Sequence, residues 1–226
     1  MKIFVRFPSR ERAAKFYQVI AGYIQLSTKN DVSYLVTLDE DDFDKEFYIE
    51  HCENFKALGH DVNYIIGKSE SKIHAINRDM EHSGVWDILV LASDDMHCMV
   101  QNWDLVLRNE MESKFPDTDG VLWHWDGDEA TKRNELNTMC ILGRKYYKRF
   151  NYIYHPDYKS LWSDNEFTDV SKYLCKVHYS EIVLFKHIHY SNTKGMLPDE
   201  LMNRTQRFYY EDEKVYRKRK AINFGL

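Results

Sequence analysis

The sequence contains no glycine-rich phosphate loop. Neither GxGxxG nor GxxxxGK[ST] occurs in it, which disfavours the dinucleotide-binding and P-loop ways of cradling phosphate on backbone N–H groups. Cysteine is scarce and scattered. Cys52, Cys98, Cys140 and Cys175 form no CxxC pair, so neither a zinc framework nor a disulfide scaffold is indicated. No run of about 18 apolar residues exists, and the opening "MKIFVRFPSR" is too short an apolar stretch for a signal peptide. These absences predict a soluble protein of a reducing, cytoplasmic compartment. No repeat, low-complexity tract or Pro/Gly/Ser-rich linker divides the chain.

Apolar residues are plentiful. They make up 43% of the 226 residues, enough for a sizeable core, and the 16 Tyr help bring aromatics to 15%. The net charge of -5 argues weakly against a surface devoted to nucleic acid. Charge is uneven: "LDEDDFDKE" (38–46) is acidic and "KVYRKRK" (214–220) basic. The basic stretch reads first as a solvated helix end that suits the macrodipole.

Strand and helix patterns alternate through the first half. "KIFVRF" (2–7), "VSYLVTL" (32–38), "VNYIIG" (62–67) and "DILVLA" (87–92) read as strands. Between them, 10–26, 43–59 and 71–84 carry helical periodicity, the first with Ser9 as a candidate N-cap and the others ending at Gly59 and Gly84. The fourth strand is almost uniformly apolar, as expected when both sheet faces are covered. This order predicts an α/β fold: one Rossmann-like domain over 1–226, with a mainly parallel central sheet and helices on both faces. Beyond Asp95 regularity weakens. Strands are expected at 121–128 and 181–190, and helices at 144–150, 164–177 and 199–220.

Ligands of open α/β sheets bind beyond the carboxyl ends of the strands. Here those ends carry Pro8-Ser9-Arg10, Asp39, Gly67-Lys68 and Ser93-Asp94-Asp95. Adjacent carboxylates at the end of a buried strand suit a hard cation such as Mn2+ or Mg2+, which completes its shell with phosphate oxygens and water. The competing reading is a turn that caps the next helix.

Taken in order, these segments resemble a GT-A fold glycosyltransferase, most closely glycosyltransferase family 2. "LVLASDDM" resembles the DxD-type motif, with Ser93 in place of its first Asp. "RFPSR" resembles the loop that holds the nucleotide base, and Asp39 stands where an acidic residue commonly contacts the base. "GKSESKIHAINRDM" (67–80) resembles the donor-facing segment, which implies Lys72 and Asn77. "WSDNEFT" (162–168) resembles the ED motif, with Ser163 replacing Glu and Asp164 in the catalytic position. "FKHIHY" (185–190) resembles the segment of the late metal-binding His.

The resemblance spans roughly residues 2 to 190. It implies a nucleotide-sugar-binding half at 1–98 and an acceptor-binding, catalytic half at 99–226. The implied donor-binding residues are Pro8, Ser9, Arg10, Asp39, Lys72, Asn77 and Asp94. Asp95 and His189 would hold the metal, with His187 as fallback, and Asp164 would be the base of an inverting transfer. Trp123, Trp125 and Tyr146 would form either a sugar-stacking wall or an aromatic core.

The implied acceptor is a polysaccharide, a protein or a modified nucleobase in DNA. Tyr-rich loops and the last helix leave room for a homodimer. Two other readings stay open. One is a sugar-nucleotide nucleotidyltransferase, against which the N-terminus lacks the GxGxR signature; the other is a catalytically idle nucleotide-sugar-binding module.

Overall fold

A computed structural model describes residues 1–128, 134–188 and 199–226. Strand β1 (Ile3–Pro8) leads into helix α1 (Ala13–Leu26), whose Phe16, Ile20, Tyr23 and Ile24 are buried. Strand β2 (Val32–Asp39), helix α2 (Lys45–Ala57) and strand β3 (Asp61–Gly67) follow. Helix α3 (Lys72–Asn77) and strand β4 (Ile88–Leu91) complete the expected alternation. Strand β5 (Met96–Cys98), helix α4 (Trp103–Lys114), strand β6 (Val121–His124) and strand β7 (Ile141–Gly143) come next. The chain then forms helices α5 (Arg144–Tyr147) and α6 (Ser163–Tyr173), and strands β8 (Val177–Ser180) and β9 (Phe185–His187). It ends in helices α7 (Glu200–Gln206) and α8 (Tyr209–Ala221).

The central sheet has the order β3-β2-β1-β4-β7-β6-β8, and β5 pairs with β9 in a second, two-stranded sheet. Strands β3, β2, β1 and β4 are mutually parallel. β7 is antiparallel to both β4 and β6, while β6 runs parallel to β8. A mainly parallel sheet must be covered on both faces. One face packs against α1, α2 and α4 through Val5, Phe7, Phe16, Tyr48, Trp103 and Leu107. The other packs Phe4, Leu35 and Leu89 against Ile73 and Ile76 of α3, Tyr146 of α5 and Phe167 of α6.

Some expectations need correction. The 71–84 helix stops at Asn77, because Arg78 turns extended and Asp79 enters the left-handed region at φ 65°; a short 3-10 turn follows at Met80–His82. The cause is Arg6. This fully buried arginine on β1 donates to the carbonyls of Ala75 (2.8 Å), Ile76 (3.2 Å) and Arg78 (2.8 Å), closing the helix end. Burial pulls its pKa down to about 10, against the pull of nearby Asp79. The 199–220 helix is two helices, α7 and α8. Ser9 does not cap α1: the cap position is Arg12, with no side-chain cap bond.

Gly143 is required where β7 passes Thr118. A Cβ there would lie 2.1 Å from the Thr118 carbonyl oxygen, a backbone atom that cannot swing aside. Gly143→Ala is therefore expected to cost about 3 kcal/mol and to lower Tm by roughly 5–10 °C. A melting curve superimposable on wild type would show that the two segments can part. No helix among the described residues is long and apolar enough to cross a membrane.

Candidate active site

The polar ends of β1, β2, β4 and β6 gather at one edge of the sheet, where parallel strands finish and helices begin. The adjacent carboxylates at the end of β4 are kept apart electrically by separate cationic partners. Asp94 is buried; its Oδ1 accepts from Arg12 Nη1 at 2.7 Å and its Oδ2 from Ser9 Oγ at 3.0 Å. Asp95 turns the other way, accepting from Ser93 Oγ and facing His187 Nε2 at 3.5 Å.

Burial raises the Asp94 pKa, and the Asp95 charge adds to that, although Arg12 opposes it. Burial would raise Asp95 as well. The His187 hydrogen bond and charge, with Ser93 and Lys72, outweigh it and hold this carboxyl below the usual carboxylate range.

His187 reaches Asp95 because β9 lies antiparallel to β5, with His187 opposite Met96. The Ile188 N–H donates to the Asp95 carbonyl at 2.8 Å, and the His187 N–H to the Asp126 carbonyl at 3.0 Å. The imidazole Nδ1 faces Asp126 Oδ2 at 3.9 Å. Burial pulls the His187 pKa down, but Asp95 and Asp126 raise it on balance. His189, the expected metal ligand, lies outside the described residues.

Among the described residues, no group of three or more His, Cys, Asp or Glu side chains is arranged to hold a metal alone. Asp95 and His187 nevertheless fit a hard divalent ion that draws its remaining ligands from phosphate and water. Both are partly open to solvent, and they bring one carboxylate and one imidazole to the same point.

Asp164 is the second residue of α6, not its cap; the cap position is Trp162, at φ 62°. Its Oδ1 accepts from the Asn165 N–H at 3.0 Å. Burial raises its pKa, partly offset by Lys72 and, more weakly, by His187, so these cations lie within electrostatic reach of it. Lys72, the first residue of α3, is thus shared by Asp164 and Asp95.

At the end of β2, Asp39 Oδ2 accepts from Arg10 Nη1 at 2.9 Å. Its buried Oδ1 has no hydrogen-bond partner among the described residues, and Arg78 Nη2 stands 4.0 Å away. A buried acceptor left open at a strand end is ready to take a ligand N–H. Pro8 ends β1 and delivers Ser9 and Arg10 into this edge.

Asn77 is turned elsewhere. Its Oδ1 accepts from the Ile153 N–H at 2.8 Å, and its Nδ2 donates to the Tyr154 carbonyl at 2.6 Å, so the amide anchors the 153–154 loop. Trp123 and Tyr146 are 3% and 1% exposed, which makes them core and not a sugar-stacking wall.

Sequence reasoning missed two side chains. Arg12 bridges Asp94 to Asp199, the cap of α7, at 2.7 Å on each side. Asp126 closes β6 against His187. Neither carries a local signal, since both act across long sequence separations.

No family model matches the sequence, and no curated protein matches it. Solved structures do match. A mannosyltransferase from Pyrobaculum calidifontis, in complex with GDP-Man and Mn2+, superposes with a TM-score of 0.68 at 14% identity, over 98% of this chain and 64% of that one. The chain has the GT-A fold. The 1-349 fragment of S. aureus TarS matches with a TM-score of 0.64 at 13% identity, over 83% of this chain and 60% of its own. GalNAc-T7 with UDP, GalNAc and Mn2+ matches with a TM-score of 0.66 at 11% identity, over 86% and 45%. The chain thus spans less than two thirds of the length of these GT-A structures. The expected α/β architecture, with its parallel core and helices on both faces, is the observed one.

Proposed function

We propose that this chain is a divalent-metal-dependent glycosyltransferase that moves a sugar from a nucleotide-diphosphate sugar to an acceptor hydroxyl, with inversion at the anomeric carbon. The observation that supports this reading is the approach of His187 to Asp95, at 3.5 Å, at the carboxyl edge of a GT-A sheet, with Lys72 and Asp164 within electrostatic reach.

On the donor side, the open Oδ1 of Asp39 accepts an N–H of the base, with Arg10 holding the other oxygen. Asp94 has spent one acceptor position on Arg12 and one on Ser9, which leaves lone pairs for a ribose hydroxyl. Asp95 and His187 would hold Mn2+ or Mg2+, with His189 as the alternative nitrogen. The ion, when bound, supplies positive charge to the leaving diphosphate. Lys72 adds a second cation on the same side.

Transfer passes through an oxocarbenium-like state. Asp164 takes the proton of the acceptor hydroxyl as its oxygen bonds to the anomeric carbon. The bond from that carbon to the diphosphate oxygen breaks, and the diphosphate leaves with the electron pair. One base and one displacement imply inversion, so product NMR showing retained configuration would contradict the assignment of Asp164.

The basic segments favour a polysaccharide or protein acceptor over DNA. Lys145 is paired with Asp117, Arg149 with Asp119, Arg219 with Glu166 and Lys220 with Asp169, so much of their charge is already used.

A melting screen of nucleotide sugars with and without Mn2+ tests the donor assignment. A ligand bound only by the native state raises Tm by mass action. A rise that requires both metal and one nucleotide supports the transferase and names its base. No rise with any pair would overturn it. His187→Ala is expected to weaken Mn2+ dependence by about tenfold or more; unchanged dependence would move the ligand role to His189.

A further inference from the structure

Two charged residues of the C-terminal helix α8, Asp212 and Arg219, are turned inward, toward α6 and the chain that leads into it. Asp212 is fully buried on this helix. Its Oδ1 accepts from the Lys159 N–H at 2.8 Å, and its Oδ2 from the N–H groups of Ser160 (2.8 Å) and Leu161 (2.7 Å). One carboxylate thus satisfies three consecutive backbone donors and dictates the path of the chain there.

The next residue, Trp162, sits at φ 62°, a conformation a bulky aromatic residue holds only when its surroundings over-determine it. Its ring packs against Tyr209 and Tyr216 at centroid distances of 5.5 and 5.2 Å. Two residues beyond lies Asp164. On the other side, the Lys159 carbonyl accepts from the Ile73 N–H at 3.2 Å, which ties the same turn to the residue after Lys72.

We propose that Asp212 is a positioning residue for the transfer reaction: by fixing the turn 159–161 it aims Asp164 and Lys72 into one cleft. This rests on the reading of Asp164 as the base. The helix does not depend on Asp212 alone to stay docked. Arg219 binds Glu166 at 2.7 and 2.9 Å, and Tyr216 and Lys220 bind Asp169 at 2.6 and 2.8 Å. Removing one acceptor from the turn therefore disturbs aim before it disturbs the fold.

The test is Asp212→Asn, which keeps the shape but presents an NH2 group to backbone N–H donors. The variant is compared with wild type for kcat, donor KM, Tm and amide exchange over 158–165, using the donor named by the melting screen. The expected result is kcat lower by about tenfold or more, with donor KM within about twofold of wild type. Exchange at 159–161 should be faster by about tenfold or more while the rest of the chain stays protected. Asp212→Glu, which restores both acceptors, should recover part of the lost kcat. Arg217→Ala, on the exposed face of the same helix, should match wild type throughout.

A kcat unchanged despite faster exchange at 159–161 would overturn the proposal. So would a loss of protection across the whole chain in both Asp212 variants, which would make the residue merely structural. Absence of turnover in the wild type itself would instead overturn the underlying transferase reading, and with it this role.

Discussion

Asp164→Asn is expected to leave donor binding nearly intact and to cut kcat by a factor on the order of a hundred or more. The expectation follows from what surrounds the carboxylate. Asp164 stands in the first turn of α6, steadied by the Asn165 N–H at 3.0 Å. It shares an electrostatic neighbourhood with Lys72 and His187 but is itself neither buried under an arginine nor used as a cap. The amide of asparagine preserves the shape and the hydrogen bond and loses only the capacity to take a proton.

A pH dependence follows with a definite sign. Burial raises the Asp164 pKa, and a base works only when deprotonated, so the acid limb of the kcat profile should lie above the ordinary carboxylate range. Activity is present above that limb and falls as pH drops through it. In Asp164→Asn the residual rate should lose this limb. Steady-state kinetics at several pH values, with donor KM measured alongside kcat, check both points. Full activity in the variant would place the base elsewhere.

Asp95→Ala should abolish the metal-dependent part of donor binding. His187, Ser93 and Lys72 hold the Asp95 carboxyl below the usual carboxylate range despite its burial, which favours the charged form that a divalent ion needs. Removing it leaves the His187 imidazole without its Asp95 partner, facing Asp126 at 3.9 Å. Calorimetric titration with the donor should then show affinity weaker by about a hundredfold in Mn2+, with little difference from wild type in EDTA. An Asp95→Ala protein that still responds to Mn2+ as wild type does would remove Asp95 from the metal site. Asp94→Ala makes an informative contrast. Asp94 is tied to Ser9 and Arg12 at 3.0 and 2.7 Å, so its loss should also loosen the β1–α1 connection and lower stability.

The first half of the fold was legible because its elements are long and each carries one clear period. Strands β1 to β4 and helices α1 and α2 fall within a few residues of where alternation and helical spacing put them. The exception is α3, where a polar residue inside a strand, Arg6, ends the helix from the sheet face beneath it; no pattern within 71–84 announces it. Farther on, β5, β7 and β9 are each three residues long, too short for periodicity to register. Helix α4 was within reach: Trp103, Leu107 and Met111 recur every four residues and are buried, though the buried Asp104 and its Arg108 partner blur the stripe.

The candidate site was legible where its residues sit at strand ends and helix starts, as with Ser9, Asp39, Asp94, Asp95 and Asp164. It was not legible where tertiary pairing does the selecting. His187, which the sequence offers only as the fallback to His189, becomes the neighbour of Asp95 through the β5–β9 ladder, and Arg12 reaches Asp94 and Asp199 across 82 and 187 residues of sequence. Basic residues of the last helix read as a solvated surface, yet Arg219 turns inward to the buried Glu166.

Release of nucleoside diphosphate from nucleotide sugars tests the central claim most directly. The assay runs with Mn2+, across UDP- and GDP-linked donors, with acceptor saccharides or peptides, on wild type, Asp95→Ala and Asp164→Asn side by side. The account predicts metal-dependent release and acceptor labelling by wild type with one base, and loss of both in each variant. If no donor is turned over by wild type, the glycosyltransferase reading is contradicted; if wild type turns one over and both variants keep its rate, the assignment of Asp95 and Asp164 is.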